Sequence, residues 1–406
     1  ECSLLSVCAT ESIYLNFHLE ITLKNLRKVP MVYDVIVAGL GGMGSATAWH
    51  LAKKGHSVLG IERFSPSHDQ GSSHGDSRII RLAYFEDPAY VPLLKRAYEL
   101  WREAEIASGE DLFTETGGLM IGPSDSKTVA GALRSAQEWN LGHQMLSYQD
   151  MRERFPQFIL KEDEIALFEE RAGFVRPERS CATHNKLAEQ SGGDLRFGEQ
   201  FLSWRPDGDG VQVVTDKGTY RANRLVISGG SWNPKLLAEL EIPMEVKRLT
   251  LFWFDVENME QWQLGRMPIY IWEPSDIEQF YGFPAIDGPD GGAKVAYFRV
   301  GPECDPDKVD RTVRPEEVEQ IRQATVRLNK LTGAPLRTAT CLYTNTPDEH
   351  FVIGLHPEYP QVSLAAGFSG HGFKFASVIG EVMSDLAINQ STEHPISLFS
   401  PTRFRN

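Results

Sequence analysis

Cysteine is scarce: five in 406 residues, an odd count far too sparse for a disulfide framework. A reducing, cytoplasmic compartment is therefore expected. A long apolar run is also missing. Asp34 interrupts the best candidate around Val35 to Val37, so no stretch reaches the roughly 18 residues of a membrane span and no membrane partner is expected. Nor is there a basic excess: 41 Lys and Arg against 55 Asp and Glu leave a formal charge of −14, which excludes a protein that holds nucleic acid by general phosphate attraction. With 41% hydrophobic and 24% charged residues the chain lacks the bias of disordered or low-complexity proteins. At roughly 100 to 200 residues per domain its length suits two or three domains. No Pro/Ser linker, tandem repeat or like-charge block separates them, which implies domains interleaved from discontinuous segments.

Residues 1–30 differ in character from the rest of the chain. They have no basic leading region, and the apolar run Leu4 to Val7 is too short for a signal peptide, so they read as a leader or extension outside the fold. From Val32 to Ala38 an aliphatic run reads as a buried parallel strand. Ser45 to Lys54 then reads as a helix and His56 to Ile61 as a second strand. Between strand and helix, Gly39, Gly41 and Gly44 form G-x-G-x-x-G around Gly42 and Met43, with Glu62 twenty-three positions after the first glycine and Arg63 beside it. This order suits a dinucleotide: glycines for a tight turn and close backbone approach, a helix N-terminus for the diphosphate, and a carboxylate for ribose hydroxyls. The motif alone does not separate FAD from NAD.

The strand-then-glycine design recurs at Arg221 to Ser228 before Gly229 and Gly230, and at Gln361 to Ala366 before Gly367. Tyr90 to Glu105, Pro315 to Leu331 and Phe373 to Ile388 read as helices. Arg248 to Asp255 and Gln279 to Val300 read as antiparallel strands of a second layer. The expected fold is α/β, a Rossmann-like FAD-binding domain interleaved with an antiparallel-sheet α+β substrate domain. Residues 31–112, 178–245 and 333–395 are assigned to the first, and 113–177 and 246–332 to the second.

Three longer blocks carry a resemblance: GSSHGDSRIIR from Gly71, CLYTNTPDEHF from Cys341 and GFSGHGFKFAS from Gly367. From about Val32 onward the chain resembles the monomeric sarcosine oxidase and N-methyltryptophan oxidase family of amine-oxidising flavoproteins. That likeness implies FAD as cofactor, joined covalently through the sulfur of Cys341. It implies that Arg81 and Lys374 bind a substrate carboxylate, and that Lys294 lies over the flavin and helps it pass electrons to oxygen. Arg78 and His74 are implied beside the ring, with Ser73, Ile79, Gly370, His371, Gly372 and Phe373 as further cofactor contacts. Tyr281 and Tyr343 match aromatic residues of the family's substrate cavity.

Taken on residue chemistry alone, each position has a plainer alternative. A cysteine before an apolar strand is most often a small core hydrophobe. Lys294 is by composition a surface lysine between inward residues. Arg78 and Arg81, three residues apart, would face the same way on a helical turn. The glycines of SGHGFK would let backbone N–H groups approach a ligand, with the following helix aimed at the loop. One departure from the family concerns substrate choice: sarcosine-specific members carry a histidine where this chain has Phe298, and a phenyl ring offers no hydrogen bond. Trp253 and Trp272 are candidates for shaping the cavity.

The activity implied is oxidative demethylation of a secondary amino acid by FAD and O2, giving the primary amino acid, formaldehyde and hydrogen peroxide, in a monomer. Alternatives are oxidation of N-methyl-L-tryptophan, pipecolate or fructosyl amino acids, a dehydrogenase with another acceptor, and a non-catalytic nucleotide-binding protein.

Overall fold

The computed structural model describes residues 32–329 and 331–405; the leader reading for residues 1–30 lies outside them. Val32–Ala38 is a strand whose aliphatic side chains from Val35 to Ala38 are buried on both faces, as a run without alternation demands. It lies parallel between Val58–Glu62 and Thr219–Ile227; Asp194–Phe197 extends the parallel array on one side and Val362–Ala366 on the other. A hairpin, Phe201–Asp207 with Gly210–Thr215, and the antiparallel strand Val352–Leu355 complete an eight-stranded sheet. Three adjacent parallel strands, Val32–Ala38, Thr219–Ile227 and Val362–Ala366, therefore run into Gly39, Gly229 and Gly367 along one edge, which is why the strand-then-glycine design recurs. Ligands of open α/β sheets bind along this carboxyl edge.

The helix Gly42–Lys53 packs on Ala376–Asn389 and Pro177–Gln190. It begins earlier than the sequence suggests, because the later glycines of the turn already have helical backbone. The second sheet also has eight strands, in the order Leu331–Asn345, Glu245–Val256, Ala293–Tyr297, Phe280–Gly282, Ile269–Trp272, Gly118–Pro123, Glu164–Glu169, Gln144–Leu146. Its pairings are antiparallel except between Ile269–Trp272 and Gly118–Pro123, which run parallel.

Three expectations change. The boundary drawn at residue 333 falls within Leu331–Asn345, the strand that carries Cys341 and pairs along Glu245–Val256 in the second sheet. The helix expected from Pro315 to Leu331 ends at Thr325, where the chain turns so that Leu328 can bridge to Phe158. Arg78 and Arg81 do not share a helical turn. Arg78–Ile80 is a strand paired with Gly173–Val175, in a small third sheet completed by Phe113–Glu115. Among the described residues no helix is long and apolar enough to cross a membrane.

Candidate active site

A single elongated cavity, with about 1740 Å³ of unfilled space including its mouth, runs from the glycine turn to the floor of the second sheet. At its first end Gly39 has φ +93° and Gly44 packs so tightly that a Cβ there would lie 1.8 Å from the Gly39 carbonyl oxygen. Both are demanded by the fold itself. Gly41 differs: a Cβ there would meet nothing nearer than Ser73 Oγ at 3.6 Å, so its bare backbone faces open cavity. This is the cradle a diphosphate needs, at a helix N-terminus that carries no side-chain cap. Ser73 Oγ accepts from Gly42 N–H at 3.1 Å and steadies that turn.

Glu62 ends its strand at the cavity wall, accepting from Leu40 N–H (2.9 Å) and Phe64 N–H (3.0 Å). Its carboxylate is thereby oriented where ribose hydroxyls would lie. Arg63 pairs with Asp307 at 2.5 Å beside Trp232, and both Arg63 and Trp232 line the cavity. The residues present fit FAD: glycine cradle, carboxylate and helix end stand along one cavity in the order the dinucleotide requires.

Midway, a reactive layer stands at the wall. Arg78 lines the cavity; Cys341, His74 and Lys294 lie buried behind it. The Arg78 guanidinium donates to Ser72 O and Ser77 O, both at 2.8 Å, and reaches Cys341 Sγ at 3.4 Å. Burial pushes the Cys341 thiol up, but Arg78, a hydrogen bond with His74 and the Lys294 charge outweigh it and bring it down to about 7. A substantial thiolate fraction at neutral pH results, which a core cysteine would not show. Lys294 is no surface lysine. It is 1% exposed and donates to Gly75 O (2.7 Å), Ser77 O (2.9 Å) and Ser77 Oγ (3.4 Å). Burial, then the neighbouring Arg78, draws its pKa well below the ordinary lysine range.

At the far end Tyr281, Tyr343, Phe298 and Ile271 line an apolar box. The two tyrosine hydroxyls stand 3.4 Å apart, and the Phe298 ring meets both tyrosines edge-on. Gly370, with φ +78°, leaves room for the Tyr343 ring, which a Cβ would approach to 2.2 Å. The loop glycine thus shapes the box through the chain's own packing, where the sequence had suggested backbone approach to a ligand. Arg81 and Lys374 line the cavity here. The Arg81 fork is already engaged: it pairs with Glu86 Oε2 at 2.7 Å, while its Nε has no hydrogen-bond partner. Lys374 Nζ donates to His371 O at 2.6 Å, and burial followed by Arg81 draws its pKa well down. His371 bonds Tyr84 Oη and Glu349 O, and burial holds it neutral. Phe373 and Ile79 line the wall between the two ends.

Glu86 and Arg299 are the site residues that sequence reasoning passed over. A carboxylate five residues after Arg81 was the available signal for the first; the second stands directly after Phe298. Trp253 and Trp272 do not shape the cavity. Trp253 is sandwiched between Arg337 and Lys294, and Trp272 is a core residue donating to Glu164 at 3.0 Å.

A family model described as FAD dependent oxidoreductase matches residues 34–386. A monomeric sarcosine oxidase of Streptomyces avermitilis is 52% identical over 374 residues, covering 91% of this chain and 97% of that protein. An N-methyl-L-tryptophan oxidase of Salmonella dublin is 34% identical over 92% of this chain and 100% of its own length. Among solved structures, NikD, an amino acid oxidase of nikkomycin biosynthesis, superposes with a TM-score of 0.80 at 26% identity, covering 91% of this chain and 97% of that one.

Proposed function

The chain belongs to the FAD dependent oxidoreductase family and within it to the sarcosine oxidase and N-methyl-L-tryptophan oxidase group, as a flavin-dependent oxidase of N-methyl amino acids, and we propose how its residues perform that reaction. The parallel-sheet layer holds FAD along Gly39 to Gly44 and Glu62, and the second sheet supplies the substrate floor. Cys341 is the point of covalent attachment: a thiolate near neutrality is the nucleophile such a bond requires. Held by these residues, FAD would supply two-electron oxidation at the N-methyl carbon and the return of those electrons to O2 as hydrogen peroxide.

The protein's own contribution is orientation and charge. Arg81 and Lys374 hold the substrate carboxylate by charge-assisted hydrogen bonds at one side of the aromatic box. The box excludes water and admits an apolar side chain or N-substituent, and such positioning supplies much of the rate. Lys294, kept dry beside Arg78, presents its amine where negative charge develops during oxygen reduction; that charge opposes the burial and the Arg78 field that draw its pKa down, and so favours its protonated, positive form. The substrate imine then hydrolyses to the primary amino acid and formaldehyde.

The observation that carries this reading is the continuity of one cavity from the glycine cradle to Arg81 and Lys374, with a low-pKa thiol buried directly behind the Arg78 that lines it. The test is the visible spectrum of the holoenzyme without oxygen as sarcosine, N-methyl-L-tryptophan, L-pipecolate and a fructosyl amino acid are added in turn. Bleaching by an N-methyl amino acid, then oxygen uptake on aeration, is expected. Bleaching by pipecolate or the fructosyl compound alone would replace the substrate class, and failure of oxygen to restore the colour would make the enzyme a dehydrogenase.

A further inference from the structure

The substrate end holds two charged groups to which the reaction gives no part, Glu86 with its side chain buried and Arg299 mostly so. Glu86 binds Arg81 through Oε2, but its Oε1 has no hydrogen-bond partner. Arg299 directs Nε to Ser369 O at 2.9 Å and one terminal nitrogen to Glu349 at 2.6 Å. Its other terminal nitrogen is buried, lacks a hydrogen-bond partner and stands 4.0 Å from that same Glu86 Oε1. Two complementary orphans face each other just beyond hydrogen-bonding distance. Arg299 is held there at φ +63°, a conformation rare outside glycine, with its guanidinium 4.3 Å from the ring centre of Phe298.

A carboxylate arriving at Arg81 must contend with Glu86, which already occupies the fork. Simple displacement would strand a buried anion, which proteins tolerate only when it finds another partner. We infer that Arg299 is a positioning residue for substrate binding: it receives Glu86 when the substrate carboxylate takes the Arg81 fork. No bond is made or broken. The Arg81–Glu86 pair gives way to Arg81–substrate and a closed Arg299–Glu86 pair, made with the one Arg299 terminal nitrogen that Ser369 and Glu349 leave free, and the incoming carboxylate replaces the negative charge withdrawn from Arg81. An incoming ligand without a carboxylate gives Arg81 no replacement partner, so the exchange also discriminates for carboxylates. This inference rests on Arg81 being the carboxylate site.

The test is the dissociation constant of methoxyacetate, an ether mimic of sarcosine that cannot be oxidised as an amine, read from the flavin absorbance of the holoenzyme, with methoxyacetamide as the uncharged control. Arg299→Met should weaken methoxyacetate about tenfold when Glu86 is present and less than about twofold in a Glu86→Gln background, since no anion then needs a new partner. Arg299→Lys should recover part of the loss. Glu86→Gln alone should tighten methoxyacetate and leave methoxyacetamide unmoved. Should Glu86→Gln protein fail to accumulate, Glu86→Asp, one methylene shorter and poorly able to reach Arg299, serves as the second background with the same criterion. Equal weakening by Arg299→Met in both backgrounds would overturn the inference and leave Arg299 a mere anchor of the Ser369 loop; no weakening in either would also overturn it. Methoxyacetate binding that survives Arg81→Met would instead reject the carboxylate site on which the inference rests.

Discussion

Cys341 and Glu86 are both buried acids enclosed by basic side chains, and the two enclosures are built differently. Around Cys341 the cations are anchored: Arg78 by Ser72 O and Ser77 O while it also reaches Cys341 Sγ, Lys294 by Gly75 O and Ser77 O. That cluster is fixed, and its field brings a weak acid to about 7. Around Glu86 the cations keep unused donors, on Arg81 Nε and an Arg299 terminal nitrogen, and their field outweighs burial to bring the carboxyl down to about 2. The first arrangement favours a thiolate and holds it still, as the proposed attachment needs; the second holds an anion whose replacement by another anion is the proposed exchange. Saturation of the surrounding arginine and lysine donors, more than the number of charges, separates the fixed enclosure from the one with donors to spare.

The comparison breaks first at Cys341. Cys341→Ala should leave no flavin with the protein after acid precipitation, whereas the parent should retain it. Arg78→Met should slow attachment at pH 7 and recover at pH 9, because without the guanidinium burial lifts the thiol out of the neutral range; in-gel flavin fluorescence over a pH series reads this. Retained flavin in the alanine protein would reduce the first cluster to ordinary packing.

Next in size is Lys294→Met, expected to slow reoxidation of reduced enzyme by about 10² to 10³ while flavin reduction by substrate changes far less. Rapid mixing of the two half-reactions separates these, and equal losses would remove the electrostatic role.

In the second cluster, Arg81→Met should raise KM for the amino acid by about 10², the loss of a buried charge-assisted pair. It should also change acid stability. The Glu86 carboxyl falls from 4.5 to about 2 on folding, worth about 3 kcal/mol. Because the folded pKa is the lower one, that stabilisation is complete above pH 4.5 and disappears as the pH falls towards 2. Thermal melts of parent and Arg81→Met should therefore differ most near neutrality and converge in acid. The smallest effect is expected from Phe298→His, which adds a hydrogen-bonding group to the aromatic box. It should shift preference towards sarcosine over N-methyl-L-tryptophan by about tenfold or less in kcat/KM.

The parallel strands and the glycine turn were legible because their causes are local: unbroken aliphatic runs and a backbone that must turn sharply at Gly39. Lys294 and Cys341 were legible through likeness to known blocks, since their own neighbourhoods read as a strand lysine and a core thiol. Arg78 was misread as helical because its three-residue strand is set by pairing with Gly173–Val175, far along the chain. Glu86 and Arg299 carried no pattern at all. They meet only because the turn after Phe298 packs against the segment just beyond Arg81.

By itself the sequence determined the turn that can cradle a diphosphate, the strands that lead to it and the family to which the chain belongs. Only the tertiary structure decided that Cys341 is ionisable near neutrality, that Arg81 is already paired and that Arg299 stands beside that partner, Glu86. The physical reason is the same in each case. The charge state of a buried group depends on cations contributed by distant segments and on the removal of water between them, and neither exists until the sheets have packed.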